Sequence, residues 1–423
     1  MDKFIIEGPT PLKGVIPISG SKNAAMPLMA AALLADTPTT INLAPRLKDI
    51  YTFNKVIRVT GTNVKFKEKE NSLVIDPFGL NFPEAPYDLV RKMRASFYML
   101  GALLGRTGKA KVSLPGGCAW GPRPVDLHLK GFEAMGISIS LEEGYVIAET
   151  NGESVEGGEF TLNPSSVGAT INLVLGAVKL AKKFVIKNAA KEPDVVLLCN
   201  TLNKMGANIE GAGTDTITIR RVDKLSGVEV SNDPDRIETG TLMIAAAMHP
   251  ESDVKLTGCR PEQLGEFPKS FKKIGVNFDI DESTISVKPN GAIKPVSIET
   301  EIYPGFPTDL QAQWATLMTQ AEGTSTITDN IYFDRFSYVP ELRRLGADIS
   351  LQENRVTING KSQLTGTSVM STDLRASVSL VMAAMAAEGT SHILRVYHLD
   401  RGYEQLEKKL NAVGANIVRA KQQ

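Results

Sequence analysis

The segment LNKMGANIE, Leu202–Glu210, contains the pattern that decides the fold of this chain: a helix end, a glycine and a short strand. A glycine here is typical of a helix C-terminus, where the backbone turns left-handed and a side chain would be strained. The pattern occurs six times, with its glycines 68 to 75 residues apart. The segments read VIRVTGTNVKF (56–66), FEAMGISIS (132–140), LNKMGANIE (202–210), FKKIGVNFDI (271–280), LRRLGADIS (342–350) and LNAVGANIV (410–418).

A second set of segments, rich in Ala, Leu, Met and Val, recurs in phase with the first. Each begins just after a polar or charged residue, and those residues are 64 to 72 positions apart. The segments are apolar nearly all round, which predicts helices that are buried on every side. The polar residues are Lys22 with Asn23, Arg94, Ser166, Glu238, Asp309, and Asp373 with Arg375.

Amphipathic helices and short strands are predicted between the buried helices. Asp126–Met135 and Pro193–Met205 have the helical pattern, and Phe184–Lys187 and Thr216–Arg220 have the strand pattern. Each unit of about 70 residues is therefore α/β, and it is longer than the roughly 20–45 residues of a solenoid repeat.

Six such units in 423 residues predict two domains of three repeats each. The turn-rich segment 230–240 lies between the third and fourth repeats. We expect one domain at 22–233 and a second at 1–21 plus 234–423, with the N-terminal strand closing the last repeat.

The composition excludes several classes of function. Lysines plus arginines equal aspartates plus glutamates at 47 each, so no net charge attracts nucleic acid or an anionic membrane. The apolar runs reach about 12 residues, short of the roughly 20 that cross a bilayer. Neither the four histidines nor the three cysteines have metal-ligand spacing, so we expect no metal and no cofactor. An odd number of cysteines and no signal peptide favour a reducing compartment, the cytoplasm.

The polar residues that precede the buried helices form a candidate anion site. A helix N-terminus carries unpaired N–H groups and a partial positive charge, which suits phosphate and carboxylate groups. The alternative is ordinary capping, for which Asn23, Ser166 and Asp309 are suitable residues. Six polar starts at nearly equal spacing, several of them basic, weaken that alternative.

The loop LPGGCAWGPRPVDL, Leu114–Leu127, is the second candidate site. It contains three glycines and three prolines by Pro124, which excludes a regular helix or strand there. Cys118 lies at its centre and Arg123 follows, and a nearby guanidinium favours a reactive thiol. An inert thiol in a surface loop is the alternative on these residues alone.

Six motifs carry a resemblance to a known family. They are GSKNAA (20–25), SLPGGCAWGPRPVDLHLKGFEAMG (113–136), PDRIETGT (234–241), FPTD-x-QAQ (306–313), TDLRAS (372–377) and DRGYE (400–404). With them the chain, from Met1 to about Arg419, resembles the UDP-N-acetylglucosamine 1-carboxyvinyltransferases, a family of enolpyruvyl transferases. The resemblance implies two inside-out α/β barrel domains, with helices inside and sheets outside.

The resemblance also implies an activity. Enzymes of this family transfer the enolpyruvyl group of phosphoenolpyruvate to the 3-hydroxyl of UDP-N-acetylglucosamine by addition and elimination, and release phosphate. That reaction is the first committed step of peptidoglycan precursor synthesis. It implies binding of the sugar nucleotide followed by domain closure, with Leu114–Leu127 as the lid, and alkylation of Cys118 by fosfomycin. No protein partner is implied.

Residue roles follow from the motifs that match. The resemblance implies Cys118 as the proton donor to the methylene carbon and Asp309 as the general base, with Asp373 as a second candidate base. The catalytic set is Cys118, Asp309, Lys22 and Arg401. Expected contacts to phosphoenolpyruvate are Lys22, Asn23, Arg123, Arg401, Asp373 and Arg375. Expected contacts to the sugar nucleotide are Asn23, Arg94, Arg123, Pro124, Val125, Asp126, Leu127, Ser166, Val167, Asp309 and Ile331.

Some residues in or beside matching segments stay ambiguous. Arg335, Glu192, Asp235 and Arg236 are as well explained by structural ion pairs as by ligand contacts, and packing is the simpler role for His128 and His398. Two positions depart from the family pattern. Pro164 stands where a basic residue is frequent, and Trp120 where a smaller aliphatic residue is common.

Two other functions remain open from the sequence. A shikimate-phosphate enolpyruvyl transferase shares the fold and the donor chemistry, but it lacks a catalytic loop cysteine, so GSKNAA and PGGC favour the sugar-nucleotide enzyme. A non-enzymatic protein that binds a nucleotide sugar needs the arginines, but not Cys118, Asp309 and Lys22 together.

Overall fold

The computed structural model describes residues 1–91, 93–115, 125–152 and 154–422. They divide into two compact units, which we call unit I (20–233) and unit II (1–19 and 234–423). Each unit has its own hydrophobic core. The fold class expected from the sequence is confirmed: each unit has three α/β repeats, with buried helices and outer sheets.

The described residues form 24 strands and 13 helices, numbered in chain order. The strands are β1 Asp2–Gly8, β2 Lys13–Pro17, β3 Thr39–Asn42, β4 Asn63–Lys67, β5 Ser72–Asp76, β6 Glu84–Ala85, β7 Lys109–Ser113, β8 Ser138–Glu142, β9 Tyr145–Glu149, β10 Val155–Thr161, β11 Ala181–Lys187, β12 Asn208–Glu210, β13 Thr216–Arg220, β14 Glu229–Ser231, β15 Asp253–Thr257, β16 Asn277–Ile280, β17 Thr284–Lys288, β18 Ile298–Thr300, β19 Gly323–Asp329, β20 Ile349–Gln352, β21 Arg355–Gly360, β22 Ser368–Met370, β23 Gly389–Leu394 and β24 Asn416–Lys421. The helices are α1 Lys22–Ala31, α2 Lys48–Val59, α3 Tyr87–Val90, α4 Met99–Thr107, α5 Asp126–Met135, α6 Val167–Leu180, α7 Pro193–Met205, α8 Arg236–Ala247, α9 Phe267–Lys273, α10 Gln311–Met318, α11 Val339–Arg344, α12 Leu374–Ala386 and α13 Leu406–Asn411.

The six four-stranded sheets of the described residues share one topology. In each, an edge strand pairs in parallel with the strand that follows a buried helix, and that strand pairs antiparallel with one strand of an antiparallel pair. This pair is a hairpin in five sheets and β1 with β24 in the sixth. The orders are β14-β3-β5-β4, β6-β7-β9-β8 and β10-β11-β13-β12 in unit I, and β2-β15-β17-β16, β18-β19-β21-β20 and β22-β23-β1-β24 in unit II. The N-terminal strand β1 lies between β23 and β24, so the prediction that it closes the last repeat is confirmed.

Burial separates the two kinds of helix as the sequence predicts. All side chains of α10 are buried, as are those of α8 after Arg236. Helix α7, by contrast, buries one face and exposes Asn200, while β13 alternates buried Ile217 and Ile219 with more exposed residues. The fully buried helices therefore form the centre of each unit, and the sheets form its surface.

The six repeat glycines take the backbone conformation that the pattern predicts. Gly61, Gly136, Gly206, Gly275, Gly346 and Gly414 have φ between 86° and 111°. After Gly206, the amide of Ala207 donates to the carbonyl of Leu202 at 2.9 Å, which closes the end of α7 as a Schellman motif. This tight ending turns the chain from the half-exposed helix into the hairpin.

Candidate functional site

Asp309 pairs with two arginines in unit II. Its Oδ1 is 2.7 Å from Nη2 of Arg335, and its Oδ2 is 2.9 Å from Nη2 of Arg375. The arginines are almost fully buried, whereas the Asp309 side chain is 26% exposed. Burial opposes ionisation of Asp309, but the two guanidinium groups outweigh it and hold the pKa of that carboxyl well below its usual range.

Asp309 is free to make these ion pairs because it does not cap a helix. It lies in a 3₁₀ turn, Thr308–Leu310, that leads into α10, and neither the turn nor the helix has a side-chain cap. Asp309 is therefore a first-turn residue and not an N-cap. Its carboxylate instead points toward two cations and remains partly accessible to solvent.

A buried network of neutral groups holds Arg375. Its Nη1 donates to the Tyr403 hydroxyl at 3.1 Å, and that hydroxyl also contacts Thr241 Oγ1 at 2.9 Å and Gln313 Nε2 at 3.3 Å. Thr241, Gln313 and Arg375 belong to the three buried helices of unit II. The guanidinium is thus oriented on one side by Asp309 and on the other by Tyr403.

Asp373, the second candidate base, is engaged as a helix cap. Its Oδ1 accepts the backbone amides of Arg375 and Ala376 at 2.8 and 3.1 Å, as the N-cap of α12. Its Oδ2 accepts the Ser337 hydroxyl at 3.0 Å, and the Thr372 hydroxyl lies 3.2 Å from it and 2.7 Å from Ser337 Oγ. Asp373 thus binds the backbone of Arg375, whereas the Arg375 guanidinium binds Asp309.

Arg401 and Ile331, the other expected site residues of unit II, lie on turns. Arg401 is half-buried at the end of the 3₁₀ turn Val396–Arg401, and the preceding Asp400 forms a bidentate pair with Arg419. Ile331 donates its amide to Oδ1 of Asp329 at 2.9 Å, just after β19 ends.

Lys22 and Asn23 begin the first buried helix of unit I. The cap is Ser21, whose hydroxyl accepts the Ala24 amide at 3.2 Å, so Asn23 is a first-turn residue and not the cap. Lys22 Nζ lies 3.0 Å from Oδ2 of Asp49, and the two side chains are 12% and 6% exposed. Asp49 therefore fixes the direction of the Lys22 ammonium group.

Ser166, Val167 and His128 surround the start of the third buried helix of unit I. Ser166 caps α6 through a 3.3 Å bond from the Ala169 amide, and Val167 is its first residue. His128 is buried, and its Nδ1 lies 3.0 Å from the Asn172 amide nitrogen. Burial, assisted by the charge of Arg94, lowers the pKa of His128 to about 3, so the ring is neutral and accepts that bond.

Three expected site residues, Cys118, Arg123 and Pro124, lie outside the described residues, as does Trp120 of the proposed lid. Val125 and Leu127 are half-buried, and Asp126 is exposed in the first turn of α5. Pro164 is exposed two residues before the cap of α6.

Most of the ambiguous residues have structural contacts. Asp235 caps α8 by accepting two backbone amides, Arg236 stacks 5.4 Å from the centre of the Tyr303 ring, and His398 stacks on Tyr397 at 4.2 Å. Glu192 precedes α7 as its cap residue without a side-chain cap bond.

Glu238 lies in the first turn of α8, and its side chain belongs to a separate buried cluster. Its Oε1 is 2.7 Å from Lys409 Nζ, and its Oε2 accepts the Ser19 amide at 2.6 Å. Helix α8 begins at Arg236, three residues before Thr239, where the apolar segment begins.

Sequence reasoning missed four residues that hold the expected site residues in place: Asp49, Tyr403, Thr308 and Asp329. Tyr403 and Thr308 lie within quoted motifs, which is the only signal that was available for them. Among residues 1–91, 93–115, 125–152 and 154–422, no group of three or more His, Cys, Asp or Glu side chains is placed to bind a metal ion. No helix in the same ranges is long and apolar enough to span a membrane.

Comparison with known proteins identifies the family. The model of the family EPSP synthase (3-phosphoshikimate 1-carboxyvinyltransferase) matches residues 6–410. A UDP-N-acetylglucosamine 1-carboxyvinyltransferase of Chlorobaculum parvum is 49% identical over 100% of this chain and 99% of its own. One of Chloroherpeton thalassium is 48% identical over 99% of this chain and 97% of its own.

Solved structures agree in fold. The enolpyruvyl transferase NikO from Streptomyces tendae superposes with a TM-score of 0.91 at 24% identity, covering 100% of this chain and 99% of its own. EPSP synthase from Acinetobacter baumannii superposes with a TM-score of 0.77 at 18% identity, over the whole of both chains. The chain therefore belongs to the enolpyruvyl (1-carboxyvinyl) transferases, and within them to the family of the UDP-N-acetylglucosamine 1-carboxyvinyltransferases.

Proposed function

We propose that this chain transfers the enolpyruvyl group of phosphoenolpyruvate to the 3-hydroxyl of UDP-N-acetylglucosamine and releases phosphate. The observation that carries the proposal is the 46–49% identity, over nearly the full length, to relatives named for this activity. The reaction would be the first committed step of peptidoglycan precursor synthesis, in the cytoplasm. Its partners would be the two small-molecule substrates, with no nucleic acid and no membrane.

The proposed chemistry needs one acid and one base. In the addition step, the Cys118 thiol gives a proton to the methylene carbon of phosphoenolpyruvate, while the sugar 3-oxygen bonds to the adjacent carbon and its proton passes to Asp309. In the elimination step, a proton leaves the new methyl group, the carbon–phosphate oxygen bond breaks, and the vinyl group is restored on the sugar. General acid and base groups typically contribute factors of about 10²–10⁴ each.

Asp309 suits the role of base better than Asp373 does. Asp373 is engaged by two backbone amides and the Ser337 hydroxyl, whereas Asp309 is partly exposed and its lowered pKa keeps it ionised at neutral pH. Two arginines make Asp309 a weak base, however, and efficient proton transfer needs a pKa nearer to the working pH. We therefore expect the sugar hydroxyl to replace one guanidinium contact when it binds, which raises the basicity of the carboxylate.

The anionic groups of the substrates match the cations at the helix starts. Lys22, Arg123 and Arg401 would hold the phosphate and carboxylate of phosphoenolpyruvate, with Asn23 and Arg375 beside them, because guanidinium and ammonium groups are the usual donors to such anions. Asp373 would act there only through the helix start that it caps.

The sugar nucleotide would bind mainly at the helix starts of unit I. The backbone amides of Val167 and Gly168 at the start of α6, and the guanidinium of Arg94, suit the diphosphate. Without a basic side chain at Pro164, these amides would carry more of that contact. Asn23, residues 123–127, Asp309 and Ile331 would complete the site.

Release of phosphate with different acceptors tests this proposal. Purified chain is incubated with phosphoenolpyruvate and either UDP-N-acetylglucosamine or shikimate 3-phosphate, and the product is identified by mass spectrometry. We expect turnover with the sugar nucleotide only. Turnover with shikimate 3-phosphate alone would replace the proposed acceptor, and unchanged rates in both Cys118→Ala and Asp309→Ala would remove the proposed acid and base.

A further inference from the structure

Asp329 is a fully buried carboxylate at the end of β19 that accepts four hydrogen bonds. Its Oδ1 accepts the Thr300 hydroxyl at 2.7 Å and the amides of Ile331 and Tyr332 at 2.9 and 2.8 Å. Its Oδ2 accepts the Thr308 hydroxyl at 2.7 Å. The first three bonds stabilise the turn after β19. The fourth joins Asp329 to the 3₁₀ turn that contains Asp309.

The Thr308 hydroxyl connects Asp329 to one of the two arginines that bind Asp309. A hydroxyl has a single proton, and an ionised carboxylate can only accept, so the proton of Thr308 points to Asp329. Its lone pairs are then free to accept Nη1 of Arg335 at 3.1 Å. Nη2 of the same guanidinium lies 2.7 Å from Oδ1 of Asp309.

Donor and acceptor roles fix the direction of each hydrogen bond between Asp329, Thr308 and Arg335. Arg335 has only donors, and Thr308 and Asp309 offer acceptors to its two terminal nitrogens. A long arginine side chain loses rotamer freedom when it is held, and a second fixed contact on the planar guanidinium helps to set its orientation. The bond from Nη1 to Thr308 therefore helps to fix the orientation in which Nη2 faces Asp309.

We propose that Thr308 and Asp329 are positioning residues for the reaction, acting through Arg335 on the carboxylate of Asp309. The inference rests on the proposed function, in which Asp309 accepts the proton of the sugar hydroxyl. Neither residue touches the reacting atoms: Asp329 orients the Thr308 hydroxyl, Thr308 orients Arg335, and Arg335 holds Asp309. Loss of either one weakens the contact that orients Nη1 of Arg335, so the guanidinium faces Asp309 in a less fixed geometry.

Steady-state kinetics of Thr308→Val and Thr308→Ser test the proposal. Valine keeps the shape of threonine and removes the hydroxyl, so we expect kcat to fall about tenfold to a hundredfold, the range for a misplaced catalytic group. The KM for phosphoenolpyruvate should stay within about twofold, because that substrate is expected on other cations. Serine keeps the hydroxyl and should restore kcat to within a few fold of the parent chain.

Thr328→Val is the matched control. The Thr328 hydroxyl also accepts a bond from an arginine, Nε of Arg355 at 3.2 Å, and it lies next to Asp329. That arginine is not bonded to Asp309, so this variant loses the same kind of contact without the proposed path. We expect its kcat to be unchanged, and a fall equal to that of Thr308→Val would overturn the proposal.

A double-mutant cycle with Asp329→Asn tests whether both residues act along one path. If they do, the double variant Asp329→Asn/Thr308→Val should be no slower than the slower single variant, whereas multiplying effects on kcat would overturn the proposal. Thermal unfolding of every variant identifies any that fail to fold. If Asp329→Asn fails to fold, the comparison of Thr308→Val with Thr308→Ser decides alone. A parent chain that is inactive with the sugar nucleotide refutes the proposed function. An active parent chain whose kcat is unchanged in Thr308→Val refutes only this inference.

Discussion

The two buried cysteines should be inert, so we predict that alkylating agents modify the native chain at Cys118 alone. Cys199 lies within α7 and Cys259 follows β15, and both are buried. Burial raises the pKa of the Cys199 thiol to about 12 and that of the Cys259 thiol to about 11. The thiolate is the reactive species, so the pKa sets an upper limit on the rate.

The size of the effect follows from the fraction of thiolate. At pH 8, a thiol of pKa about 12 is ionised to ~10⁻⁴ and one of about 11 to ~10⁻³, whereas an ordinary thiol of pKa about 8.5 is ionised to roughly a quarter. The lower degree of ionisation alone therefore reduces the rate of alkylation of the buried thiols by about 10²–10³. Exclusion of the reagent from the core reduces that rate further. The proposed acid, Cys118, should react at least as fast as an ordinary thiol.

Thiol counting with a maleimide at pH 8 checks this prediction. We expect one fast equivalent in the native chain, three in denaturant, and none in native Cys118→Ser. Fosfomycin should give a single adduct, which peptide mass spectrometry locates at Cys118. A second fast thiol in the native parent chain, or fast labelling of Cys118→Ser, would refute the argument from burial, and a fosfomycin adduct elsewhere would refute the assignment of the acid.

Three further predictions concern charged residues. Lys409→Met leaves Glu238 buried without its cation, which should cost about 3–5 kcal/mol in the free energy of unfolding at pH 7, measured by urea denaturation. Because burial raises the pKa of Glu238 in the folded state, that loss should be small while Glu238 is protonated and should grow as the pH rises through that raised pKa, and an equal loss at both ends of the range would contradict the assignment. Asp309→Asn should lower kcat by at least ~10². In the parent chain, the pH profile of kcat/KM for the sugar nucleotide should show no acid limb from Asp309 above pH ~4, because the pKa of that carboxyl is lowered. An Asp309→Asn variant with normal kcat would exclude Asp309 as the base. Lys22→Gln should raise the KM for phosphoenolpyruvate about tenfold or more in steady-state kinetics, which corresponds to the loss of a charged hydrogen bond. A rise in the KM for the sugar nucleotide instead would assign Lys22 to that substrate.

The architecture was predictable because it repeats. A single glycine after a helix is weak evidence, but six glycines 68 to 75 residues apart, all with positive φ in the structure, act as six independent observations of one motif. The buried helices were predictable for the same reason, since a helix without a polar face has to be covered on all sides. The sheet order was not predictable, because the parallel edge strands β2 and β14 pair with strands far away in sequence.

The site was predictable as a set of residue types, but not as a set of contacts. Lys22, Asp309 and Arg375 were expected from motifs, whereas their partners Asp49 and Tyr403 come from other segments, and nothing in those segments indicates the contacts. Contacts between residues 27 or 28 positions apart are decided by how the repeats pack. Sequence patterns within one helix or strand contain no information about that packing.

The way each buried helix begins separates structural from functional residues among the six repeats. In four of them the residue before the helix accepts backbone amides and is used up as a cap. The second helix of each unit is different, because α4 and α10 are both entered through a 3₁₀ turn without a side-chain cap. Their polar residues, Arg94 and Asp309, are therefore free for other contacts, and both are among the residues expected to bind substrate. A cap introduced at Pro307 or Met93 should thus compete with function, whereas exchange of the caps Ser21 and Asp235 for other capping residues should change stability alone. The other two caps, Ser166 and Asp373, belong to the expected substrate contacts.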